Sequence, residues 1–350
     1  KWVRLKNQII FETMNRKTLI KNIGLLYQTR EIAPTEPLVG KDFNELPQLA
    51  NAYLAVEDGR IVDYGSMDEL AGIADWRDLN IVDADGCIVG PGWVDSHTHL
   101  VFASTREGEY LDRLNGLSYQ EIAQRGGGIL NSVQKLRDKS EDVLFEEAKT
   151  RALEIMAQGT TAIEIKSGYG LSTEAEIKML KVAQRLKAAL PITIKTTLLA
   201  AHAIPQEYSD NKEGYIQLII DEIIPRVANE GLADYIDAFC EEGYFTVEQT
   251  LRVMQAGMEH GMKPKVHVNQ FTTLGSVKPL VEMGAISLDH LEEMSEEDYA
   301  AMEGKPTIAT ALPGCSFFLG IPYTPVKEMM ERSIPIALAT DYNPGSTPCG

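Results

Sequence analysis

Long apolar runs are missing from this chain of 350 residues. None approaches the roughly 20 residues that a membrane-spanning helix needs, which argues against an integral membrane protein. The opening residues, from Lys1 to Arg4, lack the apolar core of a secretory signal. The four cysteines are scattered without paired spacing, which argues against a disulfide framework and against a zinc knuckle. These features together predict a cytoplasmic protein.

Basic residues are also scarce relative to acidic ones. The chain has 33 lysines and arginines against 51 aspartates and glutamates, and its net charge is −18. Nucleic acids and anionic membrane surfaces bind proteins through concentrated Lys and Arg, so neither is expected as a partner. A small anionic substrate would need a local arginine to overcome this negative field. Arg106 is the candidate for that role.

Histidine is rare as well, with six in the chain, but its placement is informative. His97 and His99 follow a short strand-like run, and residues i and i+2 of a strand point to the same side. His267 and His290 each close another such run, and Asp341 ends a third. Imidazole nitrogens plus one carboxylate, with a position left for water, are the ligand set of a catalytic zinc-type site. A lone His-x-His pair is weak evidence, but the shared strand-to-loop placement favours a metal-dependent hydrolase.

The chain divides into two predicted domains. Residues 15–90 show short strands with tight turns and predict a small β-sandwich-type domain. Two Asp-Gly pairs, at residues 58–59 and 85–86, each lie between strand-like runs and predict hairpins.

From residue 91 to residue 350, strands alternate with helices. Eight strands with crossover helices predict an α/β fold of the (β/α)₈ TIM-like barrel type, whose active site lies at the carboxyl ends of the strands. The alternative, a doubly wound open sheet, needs a Gly-rich phosphate turn after its first strand, and none is present. The predicted strands are 91–97, 160–167, 192–202, 233–242, 263–270, 286–291, 307–314 and 334–341, and the predicted helices are 141–158, 173–189, 212–230, 246–260, 273–283, 295–303 and 325–333.

Several segments together resemble the amidohydrolase superfamily of metal-dependent hydrolases and, within it, the imidazolonepropionase family of histidine degradation. The similarity covers roughly residues 15–350, and the KSGYG and TDYNPGS stretches are its most specific parts. The segments that carry it are GWVDSHTH (92–99), HTHLVFA (97–103), SYQEIA (118–123), GGGI (126–129), EIKSGYGL (164–171), AHAIP (201–205), KVH (265–267), PGCSFFLG (313–320) and ATDYNPGS (339–346).

The resemblance implies a reaction in which water opens the imidazolone ring of 4-imidazolone-5-propanoate to give N-formimidoyl-L-glutamate. It also implies a homodimer, and a further C-terminal segment that would return to the small domain and that this sequence lacks. By the resemblance, one Zn²⁺ or Fe²⁺ is held by His97, His99, His267 and Asp341; the catalytic residues are His290, Asp341 and His202; and the substrate contacts are Arg106, Tyr169, His202, Gln270, Asn343, Gly345 and Ser346.

Two residues need separate interpretation. Some family members carry glutamate where this chain has Gln270, and a glutamine can orient a substrate but cannot act as a base. Proton transfer is therefore expected through Asp341, with His290 orienting the water or stabilising the developing charge. Lys166 could suggest a carboxylated lysine that bridges two metals, but the superfamily places that lysine on the fourth strand, which here ends in Glu241 and Glu242. We therefore expect one metal, with Glu241 as the only competing ligand.

Two other functions stay open at the level of the sequence. Another amidohydrolase reaction, such as deamination of a nucleobase, would use the same metal site, but its substrate carries no carboxylate for Arg106 to bind. A catalytically inactive barrel that serves as a scaffold would be expected to have lost its ligands, yet all of the expected ligands and His290 are present.

Overall fold

The computed structural model describes residues 17–30, 34–72, 76–118, 121–122 and 125–348. Residues 15–16 of the predicted small domain, three residues of the 118–123 segment and residues 349–350 lie outside this part. The described chain forms two compact units, which meet in sequence between Pro91 and Gly92. Residues 35–43 belong to the second, larger unit.

The smaller unit is a mixed sheet of five strands in which β1 is central. The hairpin predicted at residues 58–59 is confirmed: β2 and β3 pair antiparallel across it, and Asp58 and Gly59 have φ values of 49° and 74°, as a tight hairpin turn requires. A second layer, as in a sandwich, is not found among the described residues. The strands are β1 (Lys17–Tyr27), β2 (Gln48–Glu57), β3 (Arg60–Ser66), β4 (Leu79–Asp83) and β5 (Ile88–Val89).

The hairpin predicted at Asp85 and Gly86 is wrong. Strands β4 and β5 do not pair with each other, because each runs parallel to β1, one after the other along the same strand. The turn between them is held to β1 by hydrogen bonds, with Gly86 N donating to Asn22 O at 2.8 Å. A Cβ at Gly24 would lie 2.1 Å from Gly86 O, so glycine is needed where the turn crosses β1. An Asp-Gly pair signals a turn but does not determine which strand its neighbours join.

The larger unit is the predicted barrel of eight parallel strands in sequence order. The sheet closes just beyond its first and last strands, where Asp341 N donates to His97 O at 3.0 Å and His99 N donates to Tyr342 O at 2.8 Å. The strands are β6 (Trp93–Asp95), β7 (Thr160–Lys166), β8 (Thr193–Ala201), β9 (Tyr235–Cys240), β10 (Lys263–Val268), β11 (Ser287–His290), β12 (Ile308–Ala311) and β13 (Ile336–Leu338).

Helices connect these strands, and most of the predicted ones are confirmed. The stripe along the helix after β7, which includes Met179, Val182 and Leu186, is buried as expected. The helices are α1 (Glu107–Leu114), α2 (Ile129–Asp138), α3 (Glu141–Ala157), α4 (Thr173–Ala189), α5 (Lys212–Leu218), α6 (Ile224–Asn229), α7 (Val247–Glu259), α8 (Val277–Met283), α9 (Glu296–Met302), α10 (Pro313–Leu319) and α11 (Val326–Glu331).

Three differences from the predicted helices and strands are informative. The single helix predicted over 212–230 is divided by a π-helical segment, Ile219–Ile223. The strand predicted over 307–314 ends at Ala311, since Pro313 begins α10, and proline is favoured at the first position of a helix. Helices α1 and α2 lie in a region for which no helix was predicted. No helix of the described chain is long and apolar enough to cross a membrane.

Candidate metal centre and active site

The first two predicted ligands follow directly after β6. His97 and His99 are buried, with 0% and 3% of their surfaces exposed. The hydrogen bonds that close the barrel continue the strand pattern through both residues, so both side chains face the same end of the barrel. Their ring centroids are 5.5 Å apart.

The other predicted ligands come from two further strands of the barrel, β10 and β13, of which β13 neighbours β6 where the sheet closes. His267 lies on β10, and Asp341 follows β13. Asp341 has a φ of 56°, a region that costs energy for a residue with a side chain and that often occurs at functional sites. Asp341 Oδ1 lies 3.5 Å from Nε2 of His97 and 3.5 Å from Nε2 of His99. His267 Nε2 lies 3.4 Å from His99 Nε2.

These donor atoms converge in a way that suits a cation. One group of atoms within 4.8 Å of one another comes from His97, His99 and Asp341, and a second comes from His97, His267 and His290. His97 donates through Nδ1 to Asp289 at 2.7 Å when it is neutral, and its buried Nε2 then has no hydrogen-bond partner among the described residues. An imidazole nitrogen lone pair that faces a carboxylate oxygen at 3.5 Å is repelled by it unless a cation or a proton lies between the two atoms. The residues therefore fit a bound divalent ion.

The electrostatics of the site keep the three candidate histidine ligands in the neutral form that binds metal. Burial lowers the pKa values of His97, His99 and His267 well below the ordinary value, which keeps these imidazoles neutral. Burial raises the pKa of Asp341 to about 6, while the nearby His290 acts in the opposite direction. For His290 itself, burial would lower the pKa, but the adjacent Glu292 outweighs this effect and raises it.

A pocket opens beside this centre. The six side chains predicted to contact substrate all line the pocket. Gly345, the seventh predicted contact, lies against the guanidinium of Arg106. A Cβ at Gly345 would come within 1.7 Å of Arg106 Nη2, so only glycine leaves room for the guanidinium. The lining residues are His99, Arg106, Ile129, Tyr169, His202, Phe239, His267, Gln270, His290, Asp341, Asn343 and Ser346.

Arg106 is buried in the pocket wall, with 6% of its surface exposed. Its Nε and Nη1 atoms have no hydrogen-bond partner within the described part of the chain. The nearest carboxylate, Glu109, lies 3.6 Å from Nε. A buried guanidinium with open donors is costly, and an anionic ligand would satisfy it.

Sequence comparison identifies the family. An imidazolonepropionase of Flavobacterium johnsoniae is 52% identical over 333 residues, which cover 95% of this chain and 80% of the relative. One from Christiangramia forsetii is 51% identical over the same shares. The chain belongs to the imidazolonepropionase family. A more distant imidazolonepropionase, from Geobacillus thermodenitrificans, is 42% identical over 89% of this chain and 74% of its own length. No protein-family model matches the chain.

Solved structures confirm the fold of this chain. Guanine deaminase from E. coli superposes with a TM-score of 0.68 at 13% identity, covering 94% of this chain and 75% of that one. A triazine hydrolase variant gives a TM-score of 0.67 at 15% identity, over 96% of this chain and 73% of that one. Atrazine chlorohydrolase from Arthrobacter aurescens, solved with zinc and atraton, gives 0.63 at 15% identity, over 95% and 73%. At such low identity these similarities concern the barrel architecture alone.

The loop after β7 carries Tyr169 into the pocket and contacts His202, which follows β8. Glu176, at the start of α4, accepts hydrogen bonds from the backbone N–H groups of Gly168, Gly170 and Leu171 at 2.7–3.0 Å. This fixes Tyr169, while His202 Nδ1 lies 3.0 Å from Gly168 O. The His202 ring stacks on His99 at 5.1 Å, and burial lowers its pKa to about 4.

The last loop of the site is organised by Asn343. Its Oδ1 accepts hydrogen bonds from Gly345 N and Ser346 N at 2.8 and 2.7 Å, and its Nδ2 donates to Asp341 O at 2.7 Å. Gln270 lies across the pocket, where its Nε2 donates to Cys315 Sγ at 3.4 Å. Much of the hydrogen-bonding capacity of Asn343 is thus used to shape the loop that carries Asp341.

Sequence reasoning missed three carboxylates that support the site. Asp289 contacts His97, Asp237 Oδ2 lies 2.9 Å from His267 Nδ1, and Glu176 holds the Tyr169 loop. The available signal was a charged residue inside an apolar strand, as at Asp237 in β9. Glu241, the competing ligand, instead accepts hydrogen bonds from Phe271 N and Thr272, and it is absent from the metal-binding groups found in the described chain.

Proposed function

We propose that the chain hydrolyses the ring C–N bond of 4-imidazolone-5-propanoate, to give N-formimidoyl-L-glutamate, at a single divalent metal site formed by His97, His99, His267 and Asp341. The observation that carries the proposal is the convergence of these buried donors beside Arg106. The family shows which reaction to expect, and the convergence supports the assignment of residues to it.

The donor set suits a borderline-soft divalent ion. Imidazole nitrogens with one carboxylate are compatible with either Zn²⁺ or Fe²⁺, and the choice between them stays a prediction. When bound, such an ion would lower the pKa of a water molecule from about 16 toward 7 and polarise the ring carbonyl. The homodimer implied by the family resemblance also stays a prediction.

Proton transfer is assigned to Asp341, supported by His290. Asp341 accepts a proton from the attacking water and returns it to the ring nitrogen that leaves. His290 lies at the end of β11, beside Glu292 at 3.4 Å, and orients the water. Gln270, which cannot act as a base, contributes hydrogen bonds to the substrate.

Substrate orientation is assigned to Arg106 and to the side chains of the pocket wall beside His99. The open donors of Arg106 bind the propanoate carboxylate in a charge-assisted pair. Tyr169 and His202 contact the imidazolone ring, and their positions are fixed by the Glu176-bound loop. A carboxylate-binding arginine distinguishes this substrate from a nucleobase, which carries no such group.

Arg106→Ala is expected to weaken recognition of the substrate without loss of the metal. Loss of a buried charge-assisted pair costs about 2–5 kcal/mol, so kcat/KM should fall by about 30- to 4,000-fold. The measurement compares kcat/KM for the natural substrate with that for an analogue that lacks the carboxylate. The variant should affect the analogue much less.

The matched control is Arg125→Ala, which removes an exposed arginine that lines a second cavity on the other side of Arg106 but not the pocket beside the metal centre. It should leave kcat/KM close to that of the unmodified chain. If Arg106→Ala reduces hydrolysis of both substrates equally, Arg106 does not bind the carboxylate.

A further inference from the structure

A buried cluster of charges lies beneath the metal site, and Lys166 is at its centre. Lys166 ends β7, and its side chain is fully buried. Its Nζ lies 2.9 Å from Glu164 Oε1, 2.9 Å from Asp237 Oδ2 and 3.9 Å from Asp289 Oδ2. The three carboxylates outweigh burial and raise the pKa of Lys166, so the ammonium stays charged. An ammonium held in this way is not available as a carboxylated metal bridge.

The carboxylate oxygens that face Lys166 are also those that face the metal ligands. Asp289 Oδ2 lies 2.7 Å from His97 Nδ1 and is its hydrogen-bond partner. Asp237 Oδ2 lies 2.9 Å from His267 Nδ1 without hydrogen-bond geometry, while Asp237 Oδ1 accepts a hydrogen bond from His267 N at 3.1 Å. Such outer partners fix the ring orientation and the tautomer of a ligating histidine. The ammonium of Lys166 therefore lies next to both carboxylates, and each carboxylate in turn faces a different candidate histidine ligand.

We propose that Lys166 is a positioning residue for the metal centre, because it holds Asp237 and Asp289 in the orientation that aligns His267 and His97. Lys166 is not among the residues that line the pocket, so it acts through these carboxylates. This inference rests on the proposed function, since it takes His97 and His267 to be metal ligands.

Lys265 is a second buried lysine in the cluster, but its contacts differ. Its Nζ lies 3.3 Å from Asp289 Oδ2 and donates to Ser287 Oγ at 2.8 Å. Among the described residues, Lys265 forms an ion pair with Asp289 alone, so Asp289 keeps a cation when Lys166 is removed. Asp237 does not. The His267 side of the centre should therefore depend on Lys166 more strongly than the His97 side.

The test measures metal affinity rather than activity alone. Lys166→Met should weaken binding of Zn²⁺ or Co²⁺, measured by competition with a chelator, by about 10- to 100-fold. The visible absorption spectrum of the Co²⁺-loaded variant should change, because the ligand geometry changes. In the metal-loaded variant, kcat should fall while KM stays close to that of the unmodified chain.

Three further variants make this result specific. Removing Lys166 leaves buried carboxylates uncompensated, so the single variant can fail to fold. Lys166→Met combined with Glu164→Gln removes the ion pair as a unit and is compared with Glu164→Gln alone. Lys178→Met removes a half-buried lysine that donates to the carbonyl oxygens of Leu136, Arg137 and Lys139, away from the metal ligands. It should lower stability without changing metal affinity.

The outcomes separate the inference from the function on which it rests. If the unmodified chain binds neither ion at this site, the proposed function itself fails. If the unmodified chain binds the ion, and the double variant matches Glu164→Gln in affinity and in Co²⁺ spectrum, Lys166 has no positioning role. Weaker affinity with an altered spectrum, and unchanged affinity in Lys178→Met, supports the inference.

Discussion

His267→Ala is expected to lose the metal ion and, with it, more than about 10⁴-fold in kcat/KM, since the activated water depends on the ion. His267 is the proposed ligand on β10, and its Nε2 lies 3.4 Å from that of His99. Without it, three of the four proposed ligands remain, and three hold a catalytic ion less well than four. Elemental analysis of the purified variant, together with its rate of imidazolone hydrolysis, measures both effects.

His260→Ala is the matched control for this variant. His260 ends α7, where its Nδ1 lies 2.9 Å from Ala256 O, and it belongs to neither metal-binding group. Its removal should change neither the metal content nor the rate. A His267→Ala protein that keeps a full complement of metal would contradict the ligand assignment.

His290→Ala is expected to keep the metal and to lower kcat by about 10²- to 10⁴-fold, the usual contribution of a positioned acid–base group. The physical reason is that His290 orients the water and is not counted among the ligands. The structure makes this test demanding, because a nitrogen of His290 lies within 4.8 Å of the donor atoms of His97 and His267. Metal content and kcat must therefore be measured on the same preparation.

His290→Gln extends the same test. Glutamine keeps hydrogen-bonding groups near the water but cannot carry the charge of an imidazolium, so kcat should stay well below that of the unmodified chain. A metal-free His290→Ala protein would make His290 a ligand, and the assignment of a single site with four ligands would have to be revised.

The positions of the candidate ligands could be predicted from the sequence because each one lies at the end of a recognisable strand or shortly after it. His97, His99, His267 and Asp341 were expected at strand ends, and in a parallel barrel all such ends meet at one rim. The structure brings these residues together as expected. Their roles as ligands stay a proposal, since proximity alone does not show binding.

The residues behind the ligands could not be predicted, because their importance depends on contacts between strands that are distant in sequence. Lys166 and Asp237 are 71 residues apart, and His97 and Asp289 are 192 apart. The prediction of a hairpin at Asp85 is wrong for a related reason, since β4 and β5 both pair with β1 and not with each other. Local patterns predict turns and strands, whereas pairing partners follow from the packing of the whole sheet.

The most direct test of the central claim is a titration of the metal-free chain with Zn²⁺ or Fe²⁺, followed by the rate of imidazolone hydrolysis. We expect no measurable hydrolysis without the ion, because the groups named here cannot activate water to the same extent on their own. The rate should rise linearly and reach a plateau at about one ion per chain, as expected for one catalytic site with one open position for water. Full activity without the ion, or a plateau that requires two ions per chain, would contradict a single metal held by His97, His99, His267 and Asp341.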